Sequence, residues 1–417
     1  MPSSYLSSTA RRSGRDLRID FFRGLALIFI FIDHSPGNAL AAMTLHSFGF
    51  ADAAEVFVLL AGYSATLAYG RKLDGADPSD GVEQVGLRVG QIYLWHLTCL
   101  AIAVALLFAA SHYFGTDRYT GGIGVKQFAE TPAIAVISAA LLILQPNLFN
   151  ILPLYVVLLA VFPVLFLLLR YDIRIGLGVS ALVWLASGWL NLPLAGGDSW
   201  FFNPFAWQFL IALGAAAAMT TRRGRLPQSR ALMAVAVGYV AFALVYAAPW
   251  AQIPALADFR AIPAGSLGII DKTNVSVWRL AHVLALAYIA VSLIAPRADW
   301  LNSRLARAIS RCGRHSLEIF SLGLLLSLVG WIAFEEFGTG LPVQVAVNVV
   351  GVGVLGYAAW WLSNRRRSAA RQVDSTAQIV TAPALARSAP SSSRSLCSLQ
   401  FTPRTHAPGS AARPPTS

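Results

Sequence analysis

Residues 16–36, DLRIDFFRGLALIFIFIDHSP, form an apolar run with an arginine near its start and a histidine near its end. On an α-helix, Arg23 and His34 would lie about 20° apart around the axis and about 16 Å apart along it, so they share one face. Asp20 falls within roughly 40° of that face, and apolar side chains cover most of the remaining circumference. Because a charged side chain inside a bilayer costs about 2.5 to 3.5 kcal/mol, this ionisable face predicts a functional role.

The composition predicts an integral membrane protein. The chain has 417 residues, of which 56% are hydrophobic and 12% charged, too little polar surface to cover a soluble globule of this size. The net charge is +12, but Lys and Arg gather in short clusters between apolar runs and in the terminal segments, as in cytoplasmic membrane loops. We therefore expect no nucleic-acid partner. The three cysteines lack metal-ligand spacing, so we also expect no metal site.

The apolar runs and basic clusters predict an all-α polytopic membrane protein with about ten transmembrane helices and both termini in the cytoplasm. The run 131–145 is shorter than the roughly 20 residues that a bilayer crossing needs, so we expect a re-entrant or external helix there. With ten spans, every basic cluster between the runs lies on the cytoplasmic side. The predicted spans are 16–36, 51–70, 88–111, 151–170, 174–191, 203–220, 231–249, 275–295, 312–334 and 342–362.

Composition also divides the chain into three parts. Residues 1–15 are Ser-rich and basic, which predicts a flexible cytoplasmic tail. Residues 16–363 form one membrane domain, and residues 364–417, rich in Ser, Ala, Pro, Thr and Arg, predict a disordered basic tail.

The first apolar run is interrupted by Arg23 and Asp33, and no cleavage pattern follows it. We therefore interpret this run as an uncleaved span rather than a signal peptide.

His34 is the leading catalytic candidate, because an imidazole suits general-base or nucleophilic chemistry near neutral pH. A histidine at a helix end is, alternatively, a hydrogen-bonded interfacial residue. Arg23 favours the functional interpretation, because a guanidinium inside the membrane needs an anionic partner, which Asp20 or a substrate phosphate would supply. Asp33 is turned about 100° from His34 on the helix, so we expect the histidine's partner to come from another element.

Asp52 and Glu55 open the second span three residues apart, on one face and at the predicted depth of His34. One of these carboxylates would orient the imidazole and stabilise its protonated form. The alternative for Asp52 is a helix cap.

Three further stretches carry polar residues at predicted span ends. The stretch GIIDKTNVSVWRLAH places Asp271, Lys272, Asn274 and Arg279 on the external side. An alternative interpretation is that Asp271 and Lys272 form an ordinary solvated ion pair. FFNPFAWQF places Asn203 and Gln208 at an external helix start. CGRHSLEIF places His315 at a cytoplasmic end, where a cytosolic donor would be met.

The sequence lacks the phosphate-binding, dinucleotide-binding, zinc-protease and serine-hydrolase motifs of soluble enzymes. The remaining classes are membrane-embedded group transfer, transport by a transporter or flippase for an anionic or sugar-linked substrate, and a non-catalytic scaffold.

The spacing of Arg23, ten residues and His34 resembles the signature of the acyltransferase 3 family of membrane acyltransferases. Six stretches in order are similar to the OpgC family, which is linked to succinylation of osmoregulated periplasmic glucans, and the likeness covers about residues 15–363. One departure is Ala61-Gly62, where the family pattern has Ser-Gly, and the basic tail has no family counterpart. The stretches are RDLRIDFFRGLALIFIFIDH, FGFADAAEVFVLLAGY, LPLYVVLL, NPFAWQF, DKTNVS and CGRHSLEIF.

The resemblance implies a multi-pass protein of the bacterial inner membrane that moves an acyl group from cytosolic acyl-CoA, plausibly succinyl-CoA, to a hydroxyl of a periplasmic glucan. His34 matches the family's essential histidine and Arg23 its arginine. Acyl-CoA would be a co-substrate with no bound cofactor, and the other partners would be membrane lipid and a carbohydrate acceptor. The sequence leaves the oligomeric state open. The resemblance assigns no individual role to Asp52, Glu55, Asp271, Lys272 or Asn274.

Overall fold

The computed structural model describes residues 16–223, 228–252, 254–256 and 258–386. Its secondary structure within these residues is helical, which confirms an all-α polytopic membrane protein. The predicted tail at residues 1–15 lies outside the described residues. The α-helices are α1 (Leu17–Asp33), α2 (Ala53–Leu73), α3 (Ser79–Phe114), α4 (Arg118–Gly122), α5 (Gln127–Glu130), α6 (Pro132–Ala140), α7 (Ile151–Tyr171), α8 (Ile173–Ala186), α9 (Pro204–Arg223), α10 (Arg230–Ala247), α11 (Val277–Leu293), α12 (Arg304–Arg314), α13 (Ser316–Phe337) and α14 (Leu341–Ala386).

Each of the ten predicted spans coincides with one of these helices. In the described part of the chain, seven helices are long and apolar enough to cross a membrane: α2, α3, α7, α9, α10, α13 and α14. Helices α1, α8 and α11 have 17, 14 and 17 residues. That these three shorter helices also cross the membrane stays a prediction.

The run 131–145 contains helix α6, which has nine residues. At 1.5 Å per residue this helix is roughly 14 Å long, about half the hydrocarbon thickness of a bilayer. The structure therefore agrees with a re-entrant or external helix and not with an eleventh span.

Glycines allow the helices around α1 and α2 to pack closely. A Cβ at Gly24 on α1 would meet the carbonyl oxygen of Ile309 on α12, and one at Gly313 would meet that of Asp20. In the same way, a Cβ at Gly62 on α2 would meet the backbone of α9. Small residues are the usual means by which membrane helices approach each other. These contacts hold the polar face of α1 against α2, α12 and α13.

The chain divides into two units, Met1–Asn364 and Arg365–Ser417. The second unit is described up to Ala386, where α14 ends. Residues 387–417 lie outside the described residues, so the disordered tail at 364–417 stays a prediction.

Candidate functional site

Arg23 lies between three helices. Its Nη2 donates a hydrogen bond to Ser316 Oγ on α13 at 2.5 Å, and Nη1 donates to Ser64 Oγ on α2 at 3.4 Å. The guanidinium carbon lies 5.6 Å from the ring centroid of Phe57, within cation–π range. The cost of a cation inside the protein is thereby reduced by polar and aromatic contacts from α2 and α13.

Polar contacts continue at the amino-terminal end of α1. Asp20 accepts a hydrogen bond from Arg314 Nε at 3.1 Å. The next residue, His315, is buried between α12 and α13, and its Nε2 lies 3.1 Å from Ser363 Oγ. His315 therefore lies beside Ser316, the hydrogen-bond partner of the α1 arginine. Its part in meeting a cytosolic donor stays a prediction.

His34 ends α1 and is partly exposed. Its Nδ1 lies 2.8 Å from the carbonyl oxygen of Ile30. Because a carbonyl oxygen only accepts, Nδ1 carries the hydrogen, and the neutral ring has its lone pair on Nε2. This tautomer leaves Nε2 as the atom able to take a proton or an acyl group.

Two amide side chains on α14 hold the loop that follows this histidine. Asn348 and Asn38 exchange two hydrogen bonds of 2.9 Å, and both residues are buried. One turn earlier, Gln344 donates to Gly37 O at 2.8 Å and accepts from Ala39 N at 3.1 Å. We call Asn38, Gln344 and Asn348 the amide clamp. It fixes the backbone where α1 ends.

Four ionisable side chains form one group at the start of α2, the charge cluster Asp52, Glu55, Lys272 and Arg279. Arg279 Nη2 lies 2.5 Å from Glu55 Oε1 and 3.1 Å from Asp52 Oδ2. Lys272 Nζ lies 2.6 Å from Asp52 Oδ2. Glu55 is fully buried, so the pairing limits the cost of removing its charge from water.

The two carboxylates of the charge cluster also begin α2. Asp52 Oδ1 accepts from Ala54 N at 2.8 Å, and Glu55 Oε2 accepts from Asp52 N at 3.0 Å. This capping box satisfies backbone donors that the first turn of a helix leaves free. Asp52 is therefore a helix cap and an ion-pair partner at once. Support of His34 by either carboxylate stays a prediction.

The predicted substrate residues Asp271 and Asn274 lie in the loop before α11, and Asn203, which directly precedes α9, contacts that loop. Asn203 is fully buried, and its Nδ2 donates to Asn274 Oδ1 at 2.8 Å. Asp271 accepts from Asn274 Nδ2 at 2.7 Å and from Thr273 N at 2.8 Å. These bonds shape the loop that carries Lys272.

Two tryptophans anchor the same loop. Trp184 Nε1 on α8 donates to Val275 O at 3.0 Å, and Trp207 Nε1 on α9 donates to Thr273 O at 3.1 Å. Val275 has a φ of 50°, which is strained for a β-branched residue and needs surrounding contacts to persist. The anchored loop places Lys272 against Asp52.

Gln208 connects α9 to α8. Its Nε2 donates to Ser180 O at 2.8 Å, and its Oε1 accepts from Ser180 Oγ at 2.5 Å. The structure thus places Gln208 in a helix–helix contact, and a contact with substrate stays a prediction.

A cavity of about 410 Å³ opens beside the charge cluster. We call it the α2 cavity, because Asp52 and Arg279 form part of its wall. Aromatic and polar side chains alternate around it, a composition that suits a polar organic ligand. Its lining residues are His46, Ser47, Gly49, Phe50, Asp52, Tyr246, Ala247, Gln252, Ile270 and Arg279.

Sequence reasoning missed His46 as a site residue. Its Nδ1 lies 3.3 Å from Asp33 Oδ1, so the carboxylate predicted to turn away from His34 has a second histidine as its partner. The sequence contains part of the information that would identify His46. Asp33 needs a polar partner, and His46 is the histidine of the loop that follows α1. The fold of that loop could not be read from its apolar and small residues.

The comparisons with known proteins agree with the sequence resemblance. The family model described as OpgC protein matches residues 15–367, which include the whole predicted membrane domain at 16–363. Comparisons with curated proteins and with solved structures give no match.

Proposed function

Because this chain belongs to the OpgC family, we propose that it is a membrane O-acyltransferase that moves succinyl from cytosolic succinyl-CoA to hydroxyls of a periplasmic glucan. The observation that carries this proposal is His34, whose Nδ1 is bound to Ile30 O and whose Nε2 therefore keeps its lone pair. A base or nucleophile of this kind is what acyl transfer to a hydroxyl requires.

In this proposal His34 activates the acceptor hydroxyl or briefly takes the acyl group. Burial of the ring and Lys272 disfavour its charged form, and Asp33 and Asp52 oppose them. The two carboxylates favour the imidazolium that forms when the ring takes a proton. Glu55 supports this arrangement through Arg279, since both carboxylates of α2 share that arginine.

Arg23 belongs to the donor side of the proposed reaction. Phe57 and Ser316, which both contact it, also line a narrow cleft with Arg88 and Tyr155. Arg88 lines this cleft, and Arg23 contacts two of its lining residues. Guanidinium groups suit the phosphates of a CoA arm, because they bind phosphate through paired hydrogen bonds. This end of α1 is predicted to be cytoplasmic, so the donor would be met in the cytosol.

A transporter or flippase is the second candidate function. The buried pair of Glu55 and Arg279 favours it, because ionisable groups inside membrane proteins also mark transport pathways. Such a protein would bind an anionic or sugar-linked cargo at the charge cluster without chemistry.

Incubation of the purified protein with radiolabelled succinyl-CoA and a glucose oligosaccharide separates the two functions. The acyltransferase releases free CoA and labels the sugar, and a transporter does neither. The His34→Ala variant should lose at least a hundredfold of this activity. The matched control is His112→Ala, because His112 is exposed at the end of α3. Full transfer by His34→Ala would contradict the proposal.

A further inference from the structure

The segment between α1 and α2 folds over the α2 cavity in two 3₁₀ turns, Ala39–Met43 and Leu45–Ser47. His46 in the second turn lines the cavity, and 43% of its side chain is exposed. A histidine that is both held by the protein and open to a cavity is placed to exchange protons with a ligand.

The Nδ1 side of His46 faces acceptors. Nδ1 lies 2.8 Å from Thr44 Oγ1 and 3.3 Å from Asp33 Oδ1. The Thr44 hydroxyl itself donates to Asp33 Oδ1 or to Ala41 O, which only accept. Its oxygen must therefore accept from His46, so Nδ1 carries the hydrogen and Nε2 the lone pair of the neutral ring.

The Nε2 side of His46 already faces an alcohol. Ser47 Oγ lies 3.2 Å from Nε2, and it also receives a hydrogen bond from Gln252 Nε2 at 3.4 Å. All three side chains line the α2 cavity. An alcohol within about 3.2 Å of an imidazole lone pair, with a carboxylate behind the ring, is the geometry of general-base catalysis.

The remaining wall of the cavity suits a sugar. Phe50 and Tyr246 supply aromatic surface, and Asp52, Gln252 and Arg279 supply hydrogen-bonding groups. Sites for polar ligands commonly combine aromatic surface with a few placed polar groups.

We propose that His46 is a second catalytic residue, the general base that takes the proton of the acceptor hydroxyl, and that Asp33 positions it. The inference rests on the acyl transfer proposed above and adds a residue to it. His34 Nε2 first takes the acyl group from the thioester, whose sulfur leaves with the electron pair of the broken bond. The acceptor oxygen then forms a bond to the acyl carbon while the bond from that carbon to His34 Nε2 breaks. The electron pair goes to the nitrogen, and the hydroxyl proton goes to His46 Nε2 and then to external water.

The charged groups around His46 suit its proposed role as a general base. Asp33 at the end of α1, Asp52 at the start of α2 and Lys272 before α11 act on it. The hydrogen bond that His46 donates to Asp33 raises the pKa of His46 above its usual value, and partial burial and Lys272 oppose this. The ring is therefore protonated and inactive as a base in acid, and Asp33→Asn should move the acid limb of the rate profile to lower pH.

Two acceptors test the proposal with the purified full chain and succinyl-CoA. A glucose oligosaccharide needs a base to remove its hydroxyl proton, whereas hydroxylamine attacks an acyl group without one. We expect His46→Gln to lower the rate of acyl transfer to the sugar about a hundredfold or more. Its rate of transfer to hydroxylamine should stay within a few-fold of the wild-type rate. The reaction of hydroxylamine with succinyl-CoA in the absence of protein is subtracted, and protein-dependent hydroxylamine transfer that is retained also shows that the variant is folded.

Two further variants complete the test. His34→Ala should lose transfer to both acceptors, and His112→Ala, at an exposed position on α3, should keep transfer to both. Unchanged sugar transfer in His46→Gln, or equal losses with both acceptors, would overturn the proposal. If the wild-type protein releases no CoA with either acceptor, it is the acyltransferase function that fails.

Discussion

Arg279 and Glu55 form an ion pair in which Nη2 of the arginine lies 2.5 Å from Oε1 of a fully buried carboxylate. The two residues come from α11 and α2, and they are 224 positions apart in the chain. The pair joins α11, which follows the loop that carries Lys272, to α2, which begins after Asp52. Its stability therefore determines whether the charge cluster assembles.

Glu55→Gln should destabilise the protein by about 3 kcal/mol, because removing one partner leaves the other charge buried. Asp52 still pairs with Arg279, so the loss should stay at the lower end of the usual range. Thermal unfolding in detergent measures this as a lower Tm. The double variant Glu55→Gln with Arg279→Gln should recover part of the loss. A Glu55→Gln protein as stable as the wild type would show that the pair contributes little.

The segment between α1 and α2 should become less protected as the pH rises. The hydrogen bond that His46 donates to Asp33 raises the pKa of folded His46. The stabilisation is therefore complete below the unfolded pKa of about 6.5 and is lost as pH rises through the higher folded pKa. Hydrogen exchange of residues 39–48, corrected for its intrinsic pH dependence, measures the change. His46→Gln is the control and should show no such dependence. Protection that increases with pH in the wild-type protein would contradict the assigned ion pair.

The sequence predicts the helices well because each apolar run must satisfy its backbone hydrogen bonds within itself. All ten predicted runs are helical, and the spacing of Asp52 and Glu55 correctly places both carboxylates at one helix start. Contacts between residues that are far apart in the sequence cannot be predicted in this way. Spacing along one helix says nothing about which side chain from α11 will meet Glu55.

Polar residues near span ends were harder to interpret from the sequence. Asn203, Asp271 and Asn274 were predicted to bind substrate, and the structure places them in hydrogen bonds that shape one loop. The sequence alone does not distinguish an amide side chain that is buried in structural hydrogen bonds from one that binds substrate, because both are polar residues in an apolar stretch. His46 was missed for the opposite reason, since its segment lacks a periodic pattern.

Asn348→Leu should reduce activity through the amide clamp. The substitution keeps the side-chain size but removes both hydrogen bonds to Asn38, and an unsatisfied buried amide costs about 1 to 3 kcal/mol. The loop after His34 then loses its fixed position, so kcat should fall more than KM rises. The control is Val349→Ala, an exposed position on the same helix. Equal kcat values for Asn348→Leu and the control would show that the clamp does not position the histidine.

Gly24→Ala should impair assembly of α1 against α12. A Cβ at this position would meet Ile309 O and the backbone of Gly313, and such overpacking typically costs about 1 to 3 kcal/mol. Size-exclusion chromatography and Tm in detergent report the effect. Gly90→Ala on α3 is the matched control, because a Cβ there has no atom within 4 Å. A Gly24→Ala protein that folds and melts like the Gly90→Ala protein would contradict the close approach.

Mass spectrometry of periplasmic glucans from cells that carry the wild-type or the His34→Ala gene tests the central claim most directly. The amount of protein in the membrane fraction is measured alongside, so that loss of the protein is not mistaken for loss of chemistry. The account predicts succinylated glucans with the wild-type gene and unsubstituted glucans with His34→Ala, at equal amounts of membrane protein. Normal succinyl content in the His34→Ala cells would contradict the account.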